Sequence, residues 1–180
     1  MIIIWLYLFY IFMVTIGITL GYHRYFSHKE FKTNKIFECV MLYCGLLCGG
    51  RSALTWVGVH RMHHAYADTE KDPHSSKHQP WYNIIFSLWK VKRIPKRFIV
   101  DMLDNPRVMF FHNNGKYIYF VSMVLTGFIP VMFLTIMSYV GFGMLNYYGH
   151  NNTGAVNRFW LNFIAPFEGN HEDHHAKEKK

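Results

Sequence analysis

The chain opens with MIIIWLYLFYIFMVTIGITLGYHRYFSH (residues 1–28), an apolar run that ends in two histidines. Residues 1–22 contain no Lys, Arg, Asp or Glu, and a bilayer-spanning helix needs about 20 predominantly apolar residues. Because the run lacks a basic start and a small-residue cleavage site, it predicts a membrane anchor rather than a removable signal peptide. We therefore expect a membrane span at about residues 2–22, with histidines directly at its end.

A second uncharged run covers residues 117–157, and Gly127 and Pro130 interrupt it. We expect a helical hairpin at residues 117–147 that turns between these two positions. Each arm would have about 15 residues, or ~22 Å, which is short of the ~30 Å hydrocarbon core and predicts local thinning of the bilayer. The apolar stretch 36–50 is shorter than a span and contains Glu38, so we expect that it does not cross.

The formal charge of +8 follows the same division of the chain. Basic residues follow the first span directly and outnumber acidic ones between Arg51 and Lys116, so the positive-inside rule places both regions in the cytoplasm. Anionic membrane lipid is the partner that this charge predicts most simply. No nucleic-acid partner is expected, because no recognition motif accompanies the basic residues.

Twelve histidines are present, and nine of them form four groups. The groups are His23 with His28, His60 with His63 and His64, His150 alone, and His171 with His174 and His175. Since positions i, i+3 and i+4 share one helix face, we expect each H-x-x-H-H box to direct three imidazoles to one point. Eight or nine nitrogen ligands exceed the need of one metal and predict two metals with four or five imidazoles each. Imidazole suits iron, copper and zinc alike, so the ligands do not select the metal.

Two further segments carry weaker predictions. Residues 80–90, PWYNIIFSLWK, place Trp81, Ile84, Ile85, Leu88 and Trp89 on one helical face, as in a helix lying in the membrane interface. The three cysteines form no C-x-x-C motif and are expected to be buried apolar residues without chemistry.

Three stretches resemble the histidine boxes of the membrane-bound fatty-acid desaturases, specifically the acyl-CoA delta-9 (stearoyl-CoA) type. They are HRYFSH (23–28), WVGVHRMHHAYADTEKDPH (56–74) and EGNHEDHH (168–175), and the likeness runs from about residue 17 to 175. Asn146 with His150 matches the family's Asn-x-x-x-His at the end of its last membrane helix. The family has one more helix before the first span and continues beyond the third box, and the third box departs at Phe167, Asn170, Glu172 and Asp173.

The resemblance implies one desaturase domain over residues 1–180. Its fold is an all-α integral membrane protein, in which short spans carry a cytosolic helical cap (residues 23–116 and 148–180) with a dimetal histidine site. The implied ligands of two Fe ions are His23, His28, His60, His63, His64, His150, His171, His174 and His175, with Asn146 acting through water. His74, His78 and His112 lie outside that pattern.

The implied reaction uses O2 and electrons to form a cis double bond in a fatty acyl chain carried as acyl-CoA or acyl-lipid. The implied electron donor is a ferredoxin, rubredoxin or cytochrome b5 type protein. The implied location is multi-pass in a bacterial inner membrane or the endoplasmic reticulum, with the active site on the cytoplasmic face. Three alternatives stay open. These are a histidine-box lipid or alkane hydroxylase, a metallopeptidase using His171-Glu172-x-x-His175 as HExxH, and an inactive relative.

Overall fold

The computed structural model describes residues 1–178, and about two thirds of them are helical, with almost no strand. Residues 179 and 180, the end of the predicted cytosolic segment 148–180, lie outside the described residues. The α-helices are α1 (Ile2–Val14), α2 (Lys35–Leu47), α3 (Ala53–Tyr66), α4 (Trp81–Ile85), α5 (Val100–Leu103), α6 (Pro106–Thr126), α7 (Phe128–Tyr148) and α8 (His171–Glu178). A π-helix (Thr15–Ser27) continues α1, 3-10 turns cover Lys96–Phe98 and Phe159–Phe163, and strands β1 (His150–Asn151) and β2 (Gly154–Ala155) form one short antiparallel pair.

The first helix is the predicted anchor. α1 and the π-helix together run from Ile2 to Ser27 over 26 residues, and they are long and apolar enough to cross a membrane. Ile2, Ile3 and Trp5 are exposed on its first turns, as expected of side chains that face lipid. The helix continues beyond the predicted end at Tyr22, so His23 lies on the helix itself. The prediction of an all-helical membrane protein is confirmed.

The predicted hairpin turns at Gly127. α6 ends at Thr126 and α7 begins at Phe128, and Gly127 between them has a φ of 96° that a side chain would disfavour. The Tyr119 hydroxyl lies 2.6 Å from the Thr135 hydroxyl, eight residues to either side of Gly127, as the two arms of a hairpin require. α7 is the second helix that is apolar and long enough to cross a membrane.

The expected arm length was wrong. Each arm has 21 residues, or about 31 Å, and not the expected 15, because α6 begins at Pro106 and not near Tyr117. The Asn105 side chain caps α6 by accepting the Arg107 and Val108 amides. Arg107 is neutralised by the buried Glu38 carboxylate of α2, with Nε 3.0 Å from Oε1, so a charge is tolerated at the start of this helix. The uncharged part of α6 still begins only after Lys116, so the predicted thinning of the bilayer stays a prediction.

α2 is a short helix, as predicted for the stretch 36–50. Its 13 residues span about 20 Å, and Asn34 caps it by accepting the Phe37 amide. α2 packs along the π-helix, where the buried Tyr22 hydroxyl donates to the Leu42 carbonyl. Hydrogen bonds from Arg107 and Asn105 to Glu38 then join α2 to the start of α6.

The prediction of one helix over residues 80–90 was wrong. α4 ends at Ile85, and Ser87 takes a φ of 50°, which breaks the helical repeat. As a result Trp81 is exposed, Ile84 is fully buried, and Trp89 turns back toward the interior instead of sharing a face with Trp81. The backbone of α4 packs directly on Gly143 of α7, where an added Cβ would lie 1.9 Å from the Ile85 carbonyl oxygen.

Replacement of Gly143 by Ala should lower the thermal unfolding midpoint of the purified protein. The added methyl group meets backbone rather than a flexible side chain, and overpacking of this kind costs about 1–3 kcal/mol. Gly115→Ala is the matched control on α6, since its Cβ meets only the Leu46 side chain end at 3.1 Å. An unfolding midpoint for Gly143→Ala at or above that of Gly115→Ala would contradict this packing.

Candidate metal centre

The π-helix explains how His23 and His28 meet. In an α-helix, residues five apart point about 140° away from each other. Here the His28 amide donates to the His23 carbonyl at 3.1 Å, an i→i+5 bond, so the two residues stand one wide turn apart. Their rings lie 4.8 Å apart, centroid to centroid. The first box thus reaches one point only because the helix widens there.

The two H-x-x-H-H boxes do not behave as expected. His60 and His64 on α3 point to one place, whereas His63 points to a neighbouring one. The third box repeats this division, since His171 and His175 on α8 share a site and His174 faces the other. The expectation that each box directs three imidazoles to one point was wrong, because only the i, i+4 pair aligns and the remaining histidine is rotated away.

All nine predicted histidines come together in two adjacent groups. The five-histidine group contains His23, His28, His60, His64 and His174, and the four-histidine group contains His63, His150, His171 and His175. Within each group the possible ligand atoms lie within 4.8 Å of one another. The groups touch where the rings of His64 and His175 stack at 4.3 Å.

The Nε2 atoms point toward one another inside the groups. His28 and His60 bring their Nε2 atoms to 2.9 Å, His23 and His174 to 2.9 Å, and His150 and His171 to 3.1 Å. Two nitrogens that each lie about 2.1 Å from one ion at a right angle are separated by about 3.0 Å. The spacing of these nitrogens therefore fits a shared metal ion.

Three carboxylates fix the orientation of individual histidines. The Glu168 carboxylate lies 2.8 Å from Nδ1 of His23, that of Asp72 lies 2.9 Å from Nδ1 of His63, and that of Asp68 lies 3.2 Å from Nδ1 of His150. When Nδ1 donates to a carboxylate, Nε2 keeps its lone pair, which is the usual arrangement around a metal-bound imidazole. None of the three was identified from the sequence as an orienting group. The sequence feature that could have identified them is their position, because all three carboxylates lie within the histidine-box segments 56–74 and 168–175.

Asp72 is held by its own loop as well. Its two oxygens accept the Asp68 and His74 amides in addition to the His63 ring, so a buried carboxylate has its acceptor sites filled. Asp68 takes a φ of 63°, which lets this loop fold back over α3. Strained backbone of this kind is common at functional sites.

Arg61 joins the first two boxes from the outside. Its guanidinium donates to the carbonyls of Phe26 and Ser27, at the end of the π-helix, and to the Asp101 carboxylate. Burial opposes ionisation of Asp101, but hydrogen bonds from Arg61 and Lys29 outweigh it and lower the pKa of this carboxyl to about 2. Arg61 therefore holds the π-helix end beside α3.

Several of the clustered histidines have lowered pKa values and are neutral at physiological pH. Burial, followed by the neighbouring imidazoles, lowers the pKa of His28 to about 3, of His63 to about 3 and of His174 to about 2. Nε2 of His63 and Nδ1 of His171 are buried and have no hydrogen-bond partner in the described residues. Neutral imidazoles with converging lone pairs and unpartnered nitrogens fit bound metal cations.

An apolar cavity adjoins both groups. Its lining includes His23, His60, His63 and His171 from the two groups. The apolar side chains of Trp56, Val59, Phe142 and Leu145 also line it, together with Cys48 and Ser138. The cavity volume is ≈ 120 Å³. Asn146, predicted to act through water, also lines it. Cys48, to which the sequence assigned no role, is also a lining residue.

The three histidines outside the predicted set have separate surroundings. His74 is buried with its ring 4.3 Å from that of His63, and it forms a third possible ligand set with His63 and Asp72. His78 is exposed and contacts the Asp68 carbonyl, and His112 lies 2.7 Å from the Ser52 hydroxyl at the start of α3.

The sequence profile of the fatty acid desaturase family matches residues 2–179. The chain belongs to the fatty acid desaturase family. Curated relatives of this desaturase chain include the sn-1 stearoyl-lipid 9-desaturase of Synechocystis sp., 30% identical over 94% of this chain and 59% of the relative. Delta-9 acyl-lipid desaturase 2 of Arabidopsis thaliana is 31% identical over 91% of this chain and 60% of the relative. The probable acyl-CoA desaturase of Schizosaccharomyces pombe is 28% identical over 89% of this chain and 39% of the relative. The chain thus spans about 60% of the length of the first two of these relatives.

Replacement of Asp72 by Asn should weaken metal binding by this desaturase chain about 10- to 100-fold, because His63 loses the carboxylate that orients it. The measurement is metal content per chain after dialysis against graded chelator. Asp104→Asn is the matched control, since Asp104 is exposed and lies outside both groups. Equal metal retention by the two variants would show that Asp72 does not support the site.

Proposed function

We propose that this chain desaturates a fatty acyl chain, in an O2-dependent reaction at two iron ions held by the five- and four-histidine groups. The observation that carries the proposal is that both groups contribute histidines to the lining of one apolar cavity, which brings the candidate metal ligands against an apolar space that a hydrocarbon chain could enter. Family membership supports iron over zinc or copper, since imidazole ligands alone do not choose among them.

Nine histidines would hold the ions, five on one and four on the other. Bound iron would activate O2, which with two electrons from the donor takes up two hydrogens from adjacent methylenes and leaves as water, chemistry that side chains alone do not achieve. Glu168, Asp72 and Asp68 keep His23, His63 and His150 in the tautomer whose Nε2 carries a lone pair. The lowered pKa of the buried histidines keeps them unprotonated and ready to ligate.

The cavity walls would position the substrate. Trp56, Val59, Phe142 and Leu145 present apolar surface to an acyl chain and exclude water from the reacting carbons. The Trp56 ring stacks on His60 at 4.9 Å, so the wall and a ligand of the five-histidine group move as one unit. Asn146 reaches the same cavity and would act on the second ion through a water molecule.

The arrangement favours a multi-pass topology with the centre on the cytoplasmic face. All four histidine segments meet at one end of the first helix and of α7, and α6 returns the chain across the hairpin. Basic residues flank that end, as expected of a cytoplasmic surface. Electrons would come from a ferredoxin, rubredoxin or cytochrome b5 type donor. The substrate would be an acyl-lipid or an acyl-CoA, in line with the names of the relatives.

Two alternatives differ in what the site must provide. A hydroxylase would use the same ligands and stop after inserting oxygen, so the identity of the product distinguishes a hydroxylase from a desaturase. A metallopeptidase would need Glu172 as a base beside the metal. Glu172 is exposed and belongs to neither histidine group, which argues against peptidase chemistry.

The test is the lipid profile of a bacterial host that expresses the chain together with a ferredoxin and its reductase, measured by mass spectrometry with double-bond localisation. We expect a new monounsaturated chain with the parent protein and none with His60→Ala, which removes a ligand of the five-histidine group. His78→Ala is the matched control and should keep the product, since this exposed residue belongs to neither group.

If the product is instead a hydroxylated acyl chain that depends on His60, the protein is a hydroxylase and the proposal of desaturation is wrong. Absence of any product from a protein that retains two irons per chain would contradict the proposal as a whole.

A further inference from the structure

Five basic residues form an exposed strip between α4 and α5. No Asp or Glu occurs from residue 73 to residue 100, and within this stretch the strip consists of Lys90, Lys92, Arg93, Lys96 and Arg97. All five side chains are exposed, and none pairs with a carboxylate of residues 1–176. Arg97 contacts the Tyr66 hydroxyl and lies over the Phe98 ring at 4.8 Å, so its charge stays at the surface. The basic strip is therefore positive charge without an internal counterion.

Exposed apolar side chains precede the strip directly. Trp81, Tyr82, Phe86 and Leu88 are between 47% and 55% exposed, a surface that would be costly in water and is typical of the membrane interface. α4 rests on Gly143, five residues before α7 ends at Tyr148, which is about 8 Å along the helix. The apolar side chains thus lie at the depth where a membrane helix meets the headgroup region.

The strip is fastened to the protein beside the metal centre. Ile94, in its middle, packs on Gly58 of α3, where an added Cβ would lie 2.7 Å from the Ile94 side chain. The same segment contributes Ser87 and Trp89 to the cavity wall. The strip and part of the cavity lining therefore belong to neighbouring residues of the same segment.

We propose that the basic strip binds the headgroups of anionic phospholipids in the leaflet that faces it. Lysine and arginine clusters next to an interfacial apolar segment attract anionic lipid by charge complementarity, and here the two features adjoin without a gap. The exposed aromatic residues decide between a membrane and an acidic protein, because they place the strip in the plane of the headgroups. This site is independent of the reaction proposed for the histidine groups.

Native mass spectrometry of the protein in neutral detergent, incubated with phosphatidylglycerol or phosphatidylcholine of the same chain length, tests the proposal. We expect preferential retention of phosphatidylglycerol. The double variant Lys92→Gln with Arg93→Gln should weaken that binding by roughly 25-fold, since each basic residue near the surface contributes about a fivefold factor. Lys90→Gln with Lys96→Gln, a second pair from the strip, should give a similar loss.

The matched control is Lys32→Gln with Lys35→Gln, which removes the same charge from exposed positions at the start of α2. It should weaken phosphatidylglycerol binding far less than either strip variant does. An equal loss in the control and in the strip variants would overturn the site, because net charge alone would then explain the binding. Equal retention of the two lipids would also overturn the proposal, and an acidic protein would then be the better partner for the strip. Displacement of phosphatidylglycerol by soluble coenzyme A would overturn it as well.

Discussion

Four separate segments must deliver imidazoles to the same end of the membrane helices, and the rest of the fold follows from that constraint. His28 ends the first helix, His60 and His64 lie on α3, His150 follows α7, and His174 lies on α8. A chain that crossed the membrane once between residues 106 and 148 would leave His150 on the far side. The turn at Gly127 prevents this by folding the uncharged run into two antiparallel arms.

Bringing nine imidazoles together has an electrostatic cost that the surrounding residues offset. Burial disfavours the charged form of each ring, and protonation of one ring would also place a positive charge beside its neighbours. Both effects lower the pKa values of His28 and His174. The negative charge needed nearby comes from Glu168, Asp72 and Asp68, each in contact with an Nδ1. These carboxylates orient the rings while the Nε2 lone pairs remain directed inward. Arg61 and Asp101 hold the surrounding backbone outside this shell.

Much of the candidate site could be predicted from spacing and composition. The nine histidines, the hairpin turn and the division into five and four nitrogens all follow from local patterns and from the count of ligands. The division of each H-x-x-H-H box between two sites could not be predicted, because it depends on how α3 and α8 are rotated relative to each other. The π-helix could not be predicted either. An HRYFSH segment on an α-helix would separate His23 from His28, and only packing against α2 and α3 keeps the wider turn. The end of α4 at Ile85 and the start of α6 at Pro106 likewise depend on contacts with α7 and with Glu38.

The sequence by itself determined the candidate membrane spans, the charge asymmetry and the set of candidate metal-binding side chains, because hydrophobicity, charge and histidine count are properties of the residues alone. Tertiary structure decided which histidines come together in one group, which carboxylates orient them, and that Cys48, Trp89 and Asn146 line the cavity. Those outcomes depend on distances between residues far apart in the chain, such as His23 and Glu168, and no local pattern encodes such distances. Residue type therefore identifies the candidate ligands, and helix packing determines which of them come together.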